Sequence, residues 1–193
     1  MQKLSKGFFL TAIAVGFGLI DLFLLVEAGT PRAGAPDPTG SALGLAMLLA
    51  IGVAVVLLVL VYKMWAAIQD GYARTTPGKA AALLCLPLFN LYWVFQAFWG
   101  FAKDYNRFVE RHAVPTPHLP EGLFLAYAML GLLTWLPTIG LGLLVVHHVL
   151  GVLMVAKICD GVNALPTQLE ASASVTAPDV AGSPASSMRR TGS

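Results

Sequence analysis

Long apolar stretches separated by short polar connections make up most of the chain. Four of these stretches have the length and apolarity of a helix that crosses a hydrocarbon core of about 30 Å. The predicted transmembrane helices cover residues 7–28, 42–64, 121–137 and 141–158. Pro137 and Gly140 divide the last two, since both residue types favour a turn over a continuous helix. The pattern predicts an all-α integral membrane protein.

A further apolar run, from Ala80 to Ala102, has two interpretations. Pro87 interrupts the helix that begins before this run, after about ten residues, which is too short to cross a bilayer. The run is either a kinked span, giving five transmembrane helices, or a re-entrant or interfacial helical hairpin over residues 77–111. In the second interpretation Pro87 and Asn90 form the apex of the hairpin, and four transmembrane helices remain.

The distribution of positive charge favours the hairpin. Cytoplasmic connections of membrane proteins carry an excess of Lys and Arg, and the chain has 12 such residues. Five spans divide them about evenly between the two sides, whereas four spans leave all but Arg32 on one side. We therefore predict four transmembrane helices plus the hairpin, with both termini in the cytoplasm.

The chain is predicted to contain one folded unit followed by a tail. Residues 1–165 form the helical membrane domain, and residues 166–193, rich in Ser, Ala, Thr and Pro, form a disordered tail. Lys3 and Lys6 precede an apolar run that is longer than that of a signal peptide, so we expect an uncleaved anchor.

Composition limits the classes of function. Hydrophobic residues are 57% of the chain and charged residues 11%, far fewer than the quarter or so that is typical of a soluble domain. No basic stripe or aromatic RNA-binding motif accompanies the net charge of +2, so we expect no nucleic-acid partner. The only cysteines, Cys85 and Cys159, lie at apolar segments and do not suggest a disulfide framework.

Away from the ends of the predicted spans, three ionisable residues are expected inside the hydrocarbon core, namely Asp21, His147 and His148. Such residues are costly in lipid and mark candidate functional sites. In the four-span arrangement Asp21 and the histidines lie at similar depth, roughly 10 Å from the outer ends of their helices. Since adjacent helical residues point about 100° apart, we expect one histidine to contact Asp21. The contact either fixes helix register or belongs to a proton or ion path.

Cofactor, metal and catalytic sites are not expected. A haem normally needs a second axial ligand on a facing helix, and a metal needs three or four convergent ligands. The remaining histidines, His112 and His118, lie in a hydrophilic connection. We also find no nucleophile, base and orienting group predicted at one depth, so no enzymatic activity is expected.

The cations around the hairpin are candidates for binding anionic lipids. Phosphate headgroups attract Lys and Arg clustered next to membrane helices. The candidate residues are Arg74, Lys79, Lys103, Arg107 and Arg111. The alternative is anchoring at the interface without a specific lipid site.

The stretch Lys63–Tyr105 carries the sequence Arg-Thr-Thr-Pro-Gly-Lys-Ala at 74–80 and Pro-Leu-Phe-Asn at 87–90. It resembles a family of uncharacterised bacterial multi-pass membrane proteins with a domain of unknown function. That family's pattern is roughly R-x-[ST]-P-G-x-A followed by F-[IL]-P-x-x-N. The resemblance implies a bacterial cytoplasmic (inner) membrane protein without implying an activity.

These observations lead to one preferred function and one alternative. We expect a non-enzymatic accessory or scaffolding component, which contacts the lipid bilayer and either a membrane-protein partner or further copies of itself. The alternative is a small-solute or ion permease that uses the intramembrane Asp and His residues.

Overall fold

The computed structural model describes residues 3–29, 39–134 and 140–176, and every regular element in these ranges is helical. Helices α1 and α2 are followed by a region of short segments and then by α6 and α7. The bounds are α1 Lys6–Gly29, α2 Thr39–Ala67, α3 Pro77–Ala82, α4 Pro87–Val94, α5 Phe101–Arg111, α6 Glu121–Leu133 and α7 Gly140–Thr176. A 3₁₀ turn, Leu83–Cys85, extends α3, and a π-helical segment, Phe95–Gly100, joins α4 to α5.

Three of these helices are long and apolar enough to cross a membrane. Their apolar parts are Lys6–Val26, Gly44–Ala67 and Gly142–Glu170. Helix α6 is also apolar but has 13 residues. The span predicted at 121–137 continues beyond α6 into residues 135–139, which lie outside the described ranges.

Helix α7 differs from the sequence expectation at its C-terminal end. It continues through 158 and through the start of the predicted tail to Thr176, with Pro166 inside the helix. The physical reason is tertiary packing, because Val162 and Leu165 are buried against the bundle. Residues 177–193 of the predicted tail lie outside the described ranges.

Gly161 lies inside α7, where it packs against Tyr105, and it does not end the helix. A Cβ at this position would lie 2.9 Å from the hydroxyl of Tyr105, so the Tyr105 side chain would have to shift. The predicted span ends at residue 158, whereas the helix continues past Gly161. The glycine leaves room for the side chain of Tyr105 from α5.

The chain reverses direction between Cys85 and Pro87. Leu86 is extended, with φ −88° and ψ 110°, and Pro87 occupies the first turn of α4. The indole N–H of Trp93 donates to the carbonyl of Ala80 at 3.0 Å, so the two arms lie side by side. The predicted hairpin is therefore present as a helical hairpin, but its break lies at Leu86, immediately before the predicted apex.

The four longer helices pack antiparallel to their neighbours. The backbone N–H of Leu4 donates to Asn163 at 2.6 Å, while Asp21 contacts His148 at the other end of the same pair of helices, α1 and α7. Gly16 of α1 packs against Val53 of α2. By this register, every Lys and Arg in the described ranges lies in the half of the bundle nearer the start of α1. We call that half the charged end.

The best-packed core also lies toward the charged end. Large side chains that are fully buried there include those of Trp65, Phe101, Tyr105 and Phe124. The opposite half exposes many aliphatic side chains, among them Leu22 and Leu48. An apolar exterior of this kind is expected of helices that face lipid.

Candidate functional site

The predicted contact between Asp21 and one of the adjacent histidines is present. Nδ1 of His148 lies 2.8 Å from Oδ1 of Asp21. Because an ionised carboxylate only accepts hydrogen bonds, the ring nitrogen is the donor whenever Asp21 is charged. The His148 ring also stacks on Phe17, with 4.0 Å between ring centroids. These contacts join α1 to α7.

The surroundings of the pair are apolar. A cavity of about 250 Å³ beside it is lined, apart from Asp21 and His148, by aliphatic side chains, glycine and Phe17. Two of the lining residues, Val149 and Leu153, are exposed, so this cavity opens toward the outside of the bundle. Among its described lining residues no third polar side chain continues the pair, and the arrangement suits a link that fixes helix register.

His147 faces a different part of the bundle. Its ring stacks on Tyr127 of α6, with 4.4 Å between ring centroids. Gly131 permits this approach, because a Cβ there would lie 3.0 Å from Cε1 of His147. Among the described residues, Nδ1 of His147 has no hydrogen-bond partner although it is buried, and the ring also interacts with the backbone of Tyr127. This ring edge is therefore a polar group whose hydrogen bonding is incomplete.

A cavity of about 150 Å³ brings His147 together with Asn90 of the predicted hairpin apex. It lies between the second arm of the hairpin and the pair α6 and α7, and we call it the hairpin cavity. The lining residues are Asn90, Leu91, Val94, Tyr127, Gly131, Leu132 and His147. Oδ1 of Asn90 is buried without a hydrogen-bond partner as well. The sequence grouped His147 with Asp21, whereas the structure groups it with Asn90.

Sequence reasoning missed the contacts that hold the base of the hairpin. Asp104, which is 5% exposed, accepts hydrogen bonds from the backbone N–H of Arg74 at 2.9 Å and from its guanidinium at 2.8 and 3.0 Å. The indole N–H of Trp65 donates to the carbonyl of Ala97 at 3.1 Å. Periodicity does not pair these positions, because only the reversal of the chain brings them together.

Asp70 forms a second ion pair at the same end. Its carboxylate lies 2.6 Å from Nη2 of Arg111 and 3.2 Å from Nε2 of His112. Burial acts to raise the pKa of Asp70, but hydrogen bonds from Arg111, from the backbone of Tyr72 and from His112 outweigh it and lower that pKa. The carboxylate therefore stays charged to lower pH than usual.

The five candidate lipid-binding cations have different surroundings. Arg74 and Arg111 are held in the ion pairs with Asp104 and Asp70. Nζ of Lys103 lies 3.3 Å from the centroid of the Trp99 ring. Lys79 is exposed, and Arg107 is 62% exposed with Asp104 at 3.7 Å. Arg74 and Arg111 are thus exposed but held in short ion pairs, whereas Lys103 is half-buried and Lys79 and Arg107 are exposed without a carboxylate closer than 3.7 Å among the described contacts.

Asn106 holds the connection that follows the hairpin. Its amide accepts from the backbone N–H of Leu119 at 2.7 Å and donates to the carbonyl of the same residue at 3.0 Å. It also contacts Glu121 at 3.2 Å. A single buried asparagine thereby sets where α6 begins relative to α5.

Within the described ranges no group of three His, Cys, Asp or Glu side chains is arranged to hold a metal ion. Comparisons of the chain with protein-family models, curated proteins and solved structures find no match. The resemblance over Lys63–Tyr105 stays a prediction. We therefore infer the function from the geometry of this chain.

Proposed function

We propose that the chain is a bacterial inner-membrane protein with four transmembrane helices, a re-entrant hairpin and both termini in the cytoplasm. In this proposal it acts as a non-enzymatic accessory or scaffolding component. The observation that carries the proposal is the contact between Arg74 and Asp104, whose atoms approach to 2.8 Å.

These two residues flank the apolar run from Ala80 to Ala102. If the run crossed the bilayer, its flanks would be separated by a hydrocarbon core of about 30 Å. The hydrogen bonds between Arg74 and Asp104 instead support a run that enters and leaves on one side. The ion pair between Asp70 and Arg111 supports the same arrangement further from the apex.

The depth of the apex supports a re-entrant hairpin over one lying on the surface. Leu84 and Cys85, next to the break, line a cavity with Ala54 and Leu57. The last two residues lie in the middle of the apolar part of α2, Gly44–Ala67. Irregular backbone is tolerated at such depth where protein packs against it; here α2 packs against one side of the break, while Leu86 and Leu88 on the other side are exposed.

Buried polar groups that link separate helices support the scaffolding role. Asp104 joins the loop before α3 to α5, and Asn106 joins α5 to the start of α6. The Asp21 and His148 pair joins α1 to α7. These contacts fix one arrangement of the helices, which suits a protein that presents a constant surface to a membrane partner or to a second copy.

Single-cysteine labelling tests the topology. In a variant lacking Cys85 and Cys159, an impermeant maleimide is added to spheroplasts carrying Arg32→Cys or Glu110→Cys. The four-span proposal expects the first variant to label in intact spheroplasts and the second to label only after permeabilisation. Labelling of Glu110→Cys from outside would establish the five-span alternative.

Purification from native membranes in a mild detergent tests the accessory role. A membrane protein that is recovered in fixed stoichiometry supports it, as does a stable homo-oligomer. Recovery of a monomer alone, together with solute flux in proteoliposomes, would contradict it.

The ionisable residues favour a small-solute or ion permease as the second candidate. Asp21 and His148 are in contact, and the ring of His147, which faces the hairpin cavity, has its centroid 5.8 Å from that of His148. Transporters use intramembrane carboxylates and imidazoles in this way. Flux in proteoliposomes that Asp21→Asn abolishes would establish the permease, whereas flux unaffected by that change would remove this cluster from the mechanism.

A further inference from the structure

We propose that the hairpin cavity is a binding site for a small uncharged molecule that donates hydrogen bonds, with simple amides such as urea and acetamide as the best-fitting class. This goes beyond the scaffolding role and does not depend on transport. Binding and flux are measured separately, so one can fail while the other stands.

The first argument is that two buried polar atoms without partners among the described residues face one cavity. Nδ1 of His147 is an acceptor in the tautomer that carries its proton on Nε2. Oδ1 of Asn90 and Nδ1 of His147 are both buried without partners, and both residues line the hairpin cavity. Leaving one buried polar group unsatisfied costs about 1–3 kcal/mol. Two such groups from distant parts of the chain around one cavity indicate a ligand that supplies donors to both.

The position of Asn90 strengthens this argument. Its backbone N–H is already bonded to the carbonyl of Leu86 at 2.7 Å, as the first turn of α4 requires. The side-chain oxygen is not used for capping or for closing the hairpin. A leucine would fill similar space at lower cost in a membrane, so an asparagine here is explained by a polar occupant.

The second argument is size. The cavity has a volume of about 150 Å³. A protein cavity of about this volume accommodates benzene, which has six non-hydrogen atoms. Urea and acetamide are smaller than this limit, and glycerol reaches it. A second cavity, of about 280 Å³, shares Asn90, Val94 and Tyr127 with it, and Leu91 and Leu132 at its wall are exposed, so the volume matches a small molecule but does not set an upper limit on size.

The third argument concerns charge. Among the described residues that line the hairpin cavity there is no Asp, Glu, Lys or Arg. The nearby carboxylate of Asp21 is bonded to His148 and lines the separate cavity on the other side of α7. An ion would lose its hydration here without gaining a counter-charge, which costs more than burying an uncharged molecule.

The rest of the lining suits a planar molecule with N–H groups. Tyr127 stacks on His147 and holds its ring in place, so that Nδ1 remains directed to one position. Leu91, Val94 and Leu132 provide apolar contacts on the remaining sides. An amide can donate to both acceptors while its carbon skeleton rests on these side chains.

The test is a titration of the full chain in nanodiscs, with ¹⁵N-labelled histidine and urea, acetamide and glycerol as probes. Histidine ¹⁵N signals report whether a ring nitrogen accepts a hydrogen bond, and a His147→Phe sample assigns the signal. We expect Nδ1 of His147 to shift saturably with urea or acetamide while His148 does not shift. No saturable shift with any of the three probes would overturn the proposal and leave water as the occupant.

A matched pair of glycine variants locates the site. Gly131→Ala places a Cβ 3.0 Å from Cε1 of His147, whereas Gly142→Ala adds one with nothing within 4 Å. We expect the first to weaken binding at least about tenfold, equal to the loss of about 1.4 kcal/mol, and the second to leave it unchanged. Equal weakening by both would place the binding elsewhere.

Asn90→Leu removes the second acceptor with little change in volume. It should abolish the saturable shift while the protein keeps its helical circular dichroism and its elution volume. Retained binding in a folded Asn90→Leu protein would show that Asn90 has no part in recognition. The wild-type titration and the glycine pair remain decisive if this variant does not fold.

Discussion

At the scale of single residues, two neighbouring histidines have different surroundings. His148 is bonded to Asp21 and stacks on Phe17, whereas His147 stacks on Tyr127 and lines the hairpin cavity. A helix turns about 100° per residue, so adjacent side chains cannot share one neighbour. We therefore expect substitutions at the two positions to have separable effects.

The contact between Asp21 and His148 can be measured by a double-mutant cycle. We expect Asp21→Asn and His148→Asn to show a coupling energy of about 1–2 kcal/mol, near the upper end for polar contacts between membrane helices. Unfolding in mixed micelles, followed by circular dichroism, provides the measurement. The matched cycle with His147→Asn should be additive within about 0.5 kcal/mol. Equal coupling to both histidines would contradict the assignment.

Asp70 predicts a specific pH dependence. Its pKa is lowered below the usual 3.8, so the carboxylate stabilises the fold above the unfolded pKa and loses this effect as pH falls through the folded value. The apparent Tm of Asp70→Asn should therefore lie below that of the parent at pH 6, and the difference should shrink below pH 4. Both proteins carry His112→Gln, which removes the titration of a neighbouring group. A difference that is constant with pH would refute this role.

At the scale of helices, the hairpin is where sequence and structure agree most usefully. Pro87 and the distribution of Lys and Arg were enough to predict that the run from Ala80 to Ala102 does not continue as one helix. The ion pair at its base was not predictable, since Asp104 is one of many polar residues in α5 until the fold places Arg74 beside it. Local pattern identifies a break, and only tertiary structure identifies the partners.

At the C-terminal end of α7 the local sequence pattern predicts a break that the structure does not have. Asp160, Gly161 and Pro166 are residues that commonly end a helix, and the low hydropathy beyond them suggested disorder. The helix persists because Leu165 is fully buried and Gly161 allows contact with Tyr105. In the candidate site, depth alone predicts that Asp21 contacts one of the two adjacent histidines, and the structure identifies it as His148. The pairing of His147 with Asn90 depends on the tilt and rotation of helices, which hydropathy does not encode.

The stability of the protein should depend on Arg74, at the base of the hairpin, and should be little affected by loss of Arg107. Arg74→Ala leaves the buried carboxylate of Asp104 without its main partner, and we expect a loss of about 2–3 kcal/mol of unfolding free energy. Arg107→Ala, at a side chain that is 62% exposed, should change it by less than about 0.5 kcal/mol. Denaturation in detergent checks both values. Equal effects of the two changes would show that Arg74 does not hold the hairpin.

At the scale of the whole molecule, the two halves of the bundle differ in how they are held together. The charged end carries the buried aromatic core, the ion pairs and the connection held by Asn106. The opposite half has fewer buried side chains and more exposed aliphatic ones. The hairpin cavity lies toward this half. Ligand-dependent change is therefore expected in the half where fewer contacts resist it.

The first residues of the chain are joined to α7 by one asparagine. Asn163 accepts from the backbone N–H of Leu4 at 2.6 Å and donates to the carbonyl of Leu4 at 2.8 Å. We expect Asn163→Ala to lower the unfolding free energy by about 1–2 kcal/mol, while Thr167→Ala, at an exposed position one turn later, has little effect. Removal of residues 1–5 should make the two variants equally stable. If Asn163→Ala remains destabilising in the shortened chain, the asparagine acts through other contacts.

The hairpin cavity has a consequence for how the protein is made. Its walls come from the second arm of the hairpin and from α6 and α7, which leave the ribosome later. When the apolar run from Ala80 to Ala102 first reaches the membrane, Tyr127 and His147 have not yet been synthesised. Until α6 and α7 insert, α2 is therefore the only long helix in the described ranges that packs extensively against the hairpin. Insertion machinery or a chaperone that holds this intermediate would determine how much of the protein reaches its final topology.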